Sequence, residues 1–282
     1  MSIIAAFLAI GATACWGLDQ VLGKLALKEV GVLRFNAVRG LFSLLFIFPS
    51  VIFAGQLVDV SLELLLLAAL AGLIAEFVGV ELYFHLMKQS SAHILIPIGN
   101  TDLLWGTIFS LLLLGEALQV STGIAVALVI AGVYLLSGKG WKVKWRLVGP
   151  GLAVAILWGF TLPLSKYCVM LGMPLLLYQA VRISAATAGC AGAYLAKREK
   201  SAQVSRKGWG LSLLSGLFAF FLGFVLWLSA LSLESASSIA PFLGGKVAFG
   251  FIFALFLAGE RASRRAVGGA FLVFLGMLMA SL

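Results

Sequence analysis

The chain has 282 residues, 62% of them hydrophobic and 11% charged, with a formal net charge of +9 and a mean hydropathy of +1.11. Soluble domains carry roughly 25% charged residues, so a water-soluble globule is excluded and no stretch remains for a separate aqueous domain. Three cysteines and two histidines make neither a disulfide framework nor a metal-ligand spacing, and no cofactor or metal is expected.

A helix needs about 20 residues to cross a hydrocarbon core of about 30 Å. Apolar windows of that length predict ten spans: 3–26, 33–55, 62–87, 92–115, 118–137, 147–170, 173–196, 208–232, 235–259 and 266–282. All must be helices, because lipid leaves each backbone amide to be satisfied within its own segment and the alternating pattern of a barrel is missing. The first span lacks a charged leader and is too long for a signal peptide core, so it reads as retained.

The first span puts Trp16, Asp19, Gln20 and Gly23 on one continuous face, a polar stripe that belongs against a cavity or another helix rather than lipid. Lys24 lies close enough to the helix end to snorkel. The second span carries Arg39, a candidate carboxylate clamp or partner of an intramembrane acid.

In the third span Glu76 and Tyr83 share one face and Glu81 and His85 another; the two carboxylates are separated by about 140° at 100° per residue. Intramembrane carboxylates are costly, and proton coupling is one use that justifies them, with pairing to Arg39 or Arg182 the alternative. The fourth span holds Pro97, Asn100 and Asp102 and ends in Gly115-Glu116, where the carboxylate is placed to cap a following helix. A basic segment, 139–146, then reads as a cytoplasmic linker with Trp141 and Trp145 at the interface, not as a nucleic-acid patch.

The sixth span repeats the face of the first as Trp158, Thr161, Leu162 and Ser165, followed by Lys166, again read as snorkelling. Arg182 follows in the seventh, Trp227 in the eighth, and Pro241, Lys246 and Gly259-Glu260 in the ninth. Trp16, Trp158, Trp105, Trp227, Tyr83, Phe35 and Tyr178 are candidates for an aromatic box around a cation.

These correspondences are a repeat. "WGLDQVLGK" at 16–24 matches "WGFTLPLSK" at 158–166, "FNAVR" at 35–39 matches "YQAVR" at 178–182, and 92–116 matches 236–260, with offsets drifting only from 142 to 144. Residues 1–138 and 147–282 thus form two five-helix units, the second inverted because five is odd, the architecture of many secondary transporters. Asp102 and Lys246 are repeat mates of opposite sign; they form either a substrate-binding pair or a salt bridge locking the repeats together. Fifteen of the 20 Lys and Arg lie in or beside odd-numbered connections, which by the positive-inside rule are cytoplasmic, with both termini outside.

Two five-helix units, Trp-Gly in the first helix of each, Arg in the second, Pro early in the fourth and Gly-Glu at its end resemble the drug/metabolite transporter superfamily, specifically its EamA-like ten-helix members. The resemblance implies an all-α membrane bundle in which helices one to four and six to nine surround a cavity while five and ten pack peripherally. It also implies carriage of a small metabolite, commonly export, by proton coupling or exchange. The sequence holds no nucleophile elbow, HExxH or phosphate loop, so no enzymatic activity is expected.

The reading that follows is a secondary active transporter of a small zwitterionic or cationic metabolite, such as an amino acid or amine, in the cell (inner) membrane. Trp16, Asp19, Gln20, Tyr83, Asn100, Asp102, Trp158, Trp227 and Lys246 are the expected substrate contacts and Glu76 and Glu81 the proton sites. The expected partners are the small-molecule substrate, membrane lipids and protons, without nucleic acid. A lipid-linked substrate carrier and a non-transporting membrane scaffold are the alternatives.

Overall fold

The computed structural model of the protein describes residues 1–89, 98–136, 145–197, 205–257, 259 and 263–282. Among these residues ten helices follow one another, one on each expected span. They are α1 (Ile3–Ala26), α2 (Val32–Phe53), α3, α4 (Asp102–Leu114), α5 (Val120–Leu136), α6 (Trp145–Met170), α7 (Leu175–Lys197), α8, α9 and α10 (Arg264–Ser281). Three are composite. In α3, Leu62–Gly72 runs through a π-helical stretch, Leu73–Gly79, into Val80–Gln89. In α8, Arg206–Ser215 runs through Gly216–Gly223 into Phe224–Leu233 in the same way. In α9, Ala236–Ile239 tightens into a 3₁₀ turn at Ala240–Gly244 before Gly245–Leu257. Pro97, His93, Glu260 and residues 139–144 of the expected linker lie outside the described residues.

Serine hydroxyls start five of these helices. Ser2, Ser61, Ser205, Ser235 and Ser263 each accept a bond from a backbone N–H three residues on, satisfying one of the donors that a helix start leaves open. At the other end, Gly115 and Gly259, repeat mates, take φ of 64° and 65°, a left-handed conformation glycine adopts without steric cost. Hydroxyls within the bundle return to their own helix: Ser50, Thr107, Ser110, Ser212 and Ser229 each donate to the carbonyl four residues back at 2.7 to 2.9 Å. Such residues are polar in sequence but present little unsatisfied polarity to lipid.

Large apolar side chains such as Phe7, Leu45, Leu66, Leu112 and Phe271 point outward, as they must where lipid replaces water. Seven of the helices are long and apolar enough to cross a membrane by length and composition, and α4 and α5 are shorter apolar helices. The protein is a multi-pass membrane protein.

The packing follows one rule. Going round the bundle, α1 lies against α8, α8 against α2, α2 against α7, α7 against α3, α3 against α6, α6 against α4, and α4 against α9, which returns to α1. Each neighbour in this ring of eight comes from the other repeat. Outside the ring α5 packs along α10, with Gly132 against the carbonyl of Gly269 and Gly276 against that of Ala125. Small residues of this kind let helix backbones approach closely where no hydrophobic effect drives them together. The same device draws α3 onto α7 and α8 onto α2, because Gly72 abuts the carbonyl of Arg182 and its repeat mate Gly216 that of Arg39.

Candidate functional site

The ring encloses a cavity of about 130 Å³ to which all eight of its helices contribute, and neither α5 nor α10. Its lining carries three acids, Asp19, Glu76 and Asp102, and three bases, Arg39, Arg182 and Lys246. These formal charges cancel, and they are matched pair by pair.

Arg39 on α2 donates through Nη1 to Asp19 of α1 at 3.1 Å and to Ser215 of α8 at 3.2 Å, and the Ser215 hydroxyl donates to Asp19 in turn. Its guanidinium rests 4.1 Å from the Phe220 ring centroid and about 5 Å from those of Phe35 and Phe84. Arg182, its repeat mate on α7, makes a bidentate pair with Glu76 of α3, at 2.9 Å from Nε and 2.7 Å from Nη2, and donates to Ser165 of α6 at 3.1 Å. Its guanidinium lies 4.4 Å from the Phe224 ring centroid. Both arginines occupy equivalent three-helix junctions, each with one carboxylate and one serine. The roles are exchanged, however: the acid stands on the first-type helix (α1) for Arg39 and on the third-type helix (α3) for Arg182. Arg39 and Asp19 therefore pair within a repeat, whereas Arg182 and Glu76 pair across repeats. Two planar donors on one carboxylate make a strong, oriented contact.

Two aromatic walls obey the same symmetry. Trp158 of α6 and Tyr83 of α3 have centroids 5.1 Å apart, and their mates Trp16 of α1 and Trp227 of α8 5.2 Å apart. Each indole is held by a π-helical carbonyl: Trp158 Nε1 donates to Ala75 at 3.1 Å and Trp16 Nε1 to Ala219 at 3.2 Å. A π turn displaces a carbonyl from the regular ladder, which here anchors a ring at the cavity wall. Gly79 and Gly223 provide the space, since a Cβ on either would meet the indole nitrogen within about 3 Å.

Lys246 on α9 donates to Asp102 at the start of α4 over 2.5 Å, with its Nζ 4.8 Å from the centre of the Trp158 ring. Both residues are buried. The interruptions that bring them together are equivalent, a turn at Asn100 and Thr101 before α4 and the 3₁₀ segment holding Pro241 in α9.

Of the expected substrate contacts, Trp16, Asp19, Gln20, Tyr83, Asp102, Trp158, Trp227 and Lys246 line the cavity, as do Glu76, Arg39 and Arg182. Two expected residues do not. Asn100 is buried in the turn preceding α4 and is absent from the cavity lining. Glu81 lies beyond it, accepting from Asn36 at 2.6 Å and facing His85 at 3.2 Å. Trp105, Phe35 and Tyr178 pack elsewhere: Trp105 stands against Gly159, Phe35 against Phe84, and the Tyr178 hydroxyl meets Ser165 at 2.8 Å.

Lys166 donates to the carbonyls of Leu231 and Glu234 at 2.7 Å each, closing the end of α8. One further expectation is corrected. Glu116 caps the helix start of α9 rather than that of the following α5, accepting from the N–H groups of Ala236 and Ser237, each at 2.7 Å. Sequence reasoning missed Ser215 and Phe220. The signal that marks their neighbourhood is the pair Gly72 and Gly79, repeated as Gly216 and Gly223, which brackets each π segment.

The comparisons with known proteins bear on the whole chain. A crystal structure superposes with a TM-score of 0.83 over 98% of this chain and 96% of the other, at 15% identity, a likeness of fold alone. An uncharacterized transporter of Archaeoglobus fulgidus is 23% identical over 274 residues, 96% of each chain. The EamA-like transporter family model matches residues 3–138 and again 147–282. With both five-helix repeats matched, this chain belongs to the EamA-like transporter family.

Proposed function

We propose that the protein is a secondary active transporter of a small zwitterionic metabolite of the amino-acid type, working by alternating access in the cell (inner) membrane. One observation carries the substrate class: Lys246 holds an alkylammonium group between the Asp102 carboxylate and the Trp158 ring face. That is the arrangement by which a site recognises an alkylammonium ligand, combining a charge-assisted hydrogen bond with attraction to the ring quadrupole. A substrate amine takes the place of Lys246 against Asp102 and Trp158, and the lysine so released meets the substrate carboxylate. The exchange leaves no buried charge alone, which a free cation or a free anion would do.

Size supports the same class. Drug-sized ligands occupy pockets of about 300–1,000 Å³, whereas this cavity holds about 130 Å³, which favours a metabolite of a few carbons over a lipid-linked substrate. Tyr83, buried on the wall with a hydroxyl that has no partner among the described residues, supplies a further contact. In this reading Glu76 holds Arg182 across the two repeats. Substrate, surrounding lipid and protons are the partners.

The test is thermal stabilisation of the purified protein in detergent by amino acids, amines, quaternary ammonium compounds and sugars. A ligand at 100 times its Kd stabilises by about 2.7 kcal/mol. Stabilisation by zwitterions, lost in folded Asp102→Asn and Lys246→Met variants, is the expected result. Stabilisation by quaternary amines or sugars instead, unchanged in those variants, overturns the substrate assignment.

A further inference from the structure

Outside the cavity, the α2, α3 and α7 helices meet near the membrane face that carries the odd-numbered connections, and there they bring together Glu81, His85 and Asn36. Glu81 is about 12 Å along the helix from the end of α3, and Asn36 about 6 Å from the start of α2, at 1.5 Å per residue. Asn36 Nδ2 donates to Glu81 Oε2 at 2.6 Å. His85 Nδ1 lies 2.9 Å from the Glu81 carbonyl and 3.2 Å from Glu81 Oε1, the latter an ion-pair distance without hydrogen-bond alignment. The backbone carbonyl can only accept, so Nδ1 carries the hydrogen while Nε2 remains for a second proton.

The burial of the three is graded. The His85 side chain is 40% exposed, that of Glu81 14%, and Asn36 2%. Among the described residues Asn36 Oδ1 has no hydrogen-bond partner. A carboxylate in a membrane helix is otherwise matched by a cation, as Glu76 is by Arg182 and Asp102 by Lys246; among the described residues the group at ion-pair distance from Glu81 is His85, a cation only when protonated. The other groups facing Glu81 are Arg39 on α2 and Lys197 at the end of α7, with the Cys190 thiol also on α7. Arg39 stands one helical turn from Asn36 and holds Asp19 in the cavity wall.

We propose that Glu81 and His85 form a proton-binding site, separate from the cavity, whose occupancy is transmitted to it through Arg39 and Asp19. His85 takes a proton from water at Nε2 and gives its Nδ1 proton to Glu81 Oε1. The carboxylate becomes a carboxylic acid, and the ring ends neutral with its hydrogen on Nε2. With Glu81 ionised, the charge of Arg39 is drawn toward Glu81 as well as toward its ion-pair partner Asp19; with Glu81 neutral, that pull is gone. Coupling of this kind is reciprocal, so Asp19 also acts on proton binding at Glu81.

The assignment does not depend on the substrate class, and its test uses no substrate. Dicyclohexylcarbodiimide reacts with the protonated carboxyl and not with the carboxylate, and mass spectrometry of the full-length protein in detergent locates the adduct. Glu81 is expected to label faster than Glu76 or Asp102, with a rate that falls as the pH rises from 5 to 9. At pH 7, Asp19→Asn frees Arg39 from its ion-pair partner, leaving its charge to act on Glu81 and Glu76, and lowers the Glu81 rate about tenfold, while His85→Gln removes the proton-accepting ring beside Glu81 and raises it. Both variants are compared only as folded, monodisperse protein, and Asp19→Glu, which keeps the charge, is expected to leave the rate within about twofold of wild type. Labelling of Glu81 that is no faster than that of Glu76, or that ignores pH, overturns the proton site. Glu81 rates equal in wild type, Asp19→Asn and Asp19→Glu overturn the link to the cavity.

Discussion

Glu76 and Arg182 are buried to the same degree, with relative side-chain exposures of 4% each, and belong to opposite repeats. Removing one partner of such a pair leaves an uncompensated buried charge, at a cost of about 3–5 kcal/mol. Glu76→Gln and Arg182→Met are each expected to lower the thermal midpoint in detergent strongly. The double variant should recover most of the loss, because replacing both charges with neutral groups is often close to neutral. If the double variant is as unstable as the worse single one, Arg182 is needed for more than its pairing with Glu76. These residues were legible as a class: an arginine or a carboxylate within a twenty-residue apolar run announces a partner. Which carboxylate pairs with which arginine was not legible. Arg39 and Arg182 are repeat mates with nearly identical local sequence, and only the assembled junction shows that the acid comes from α1 in one case and from α3 in the other.

Element by element, the ten spans could be read from hydropathy alone, because in lipid length and composition settle the fold of each segment. The 3₁₀ segment of α9 was also marked in advance by Pro241. The π segments were not, since one extra residue per turn leaves an apolar run apolar and Glu76 and Tyr83 on the same wall either way. Nor was the cap on α9, because Glu116 and Ser237 are 121 residues apart. Glu116→Ala removes the acceptor of two backbone donors and is expected to lower stability by about 0.5–2 kcal/mol, as for other helix caps; Glu116→Gln should keep part of it in the same thermal measurement. Gly72→Ala places a methyl against the Arg182 carbonyl, and overpacking of this kind costs about 1–3 kcal/mol. Its mate Gly216→Ala should behave alike, and an unchanged melting profile in both would mean that α3 and α8 can draw away from α7 and α2 freely.

Across the whole molecule, the ring order means that neither repeat is a body. The proposed alternating access cannot consist of the first five helices rocking against the last five, since each seam around the cavity already joins the two. The parts that move must each contain helices of both repeats. Residues 1–138 expressed alone are therefore expected to be degraded or aggregated, and co-expression with 139–282 should recover both halves as one complex on a size-exclusion column. Stable accumulation of the first half alone would contradict the ring. The ring also has a consequence for how the chain is made. Synthesis runs from the first repeat to the second, and of the three cavity acids only Asp19 finds its cation, Arg39, within the first. When α5 has left the ribosome, Glu76 and Asp102 still await Arg182 and Lys246. The nascent first half must hold two unmatched acids at the translocon until the second half arrives to neutralise them.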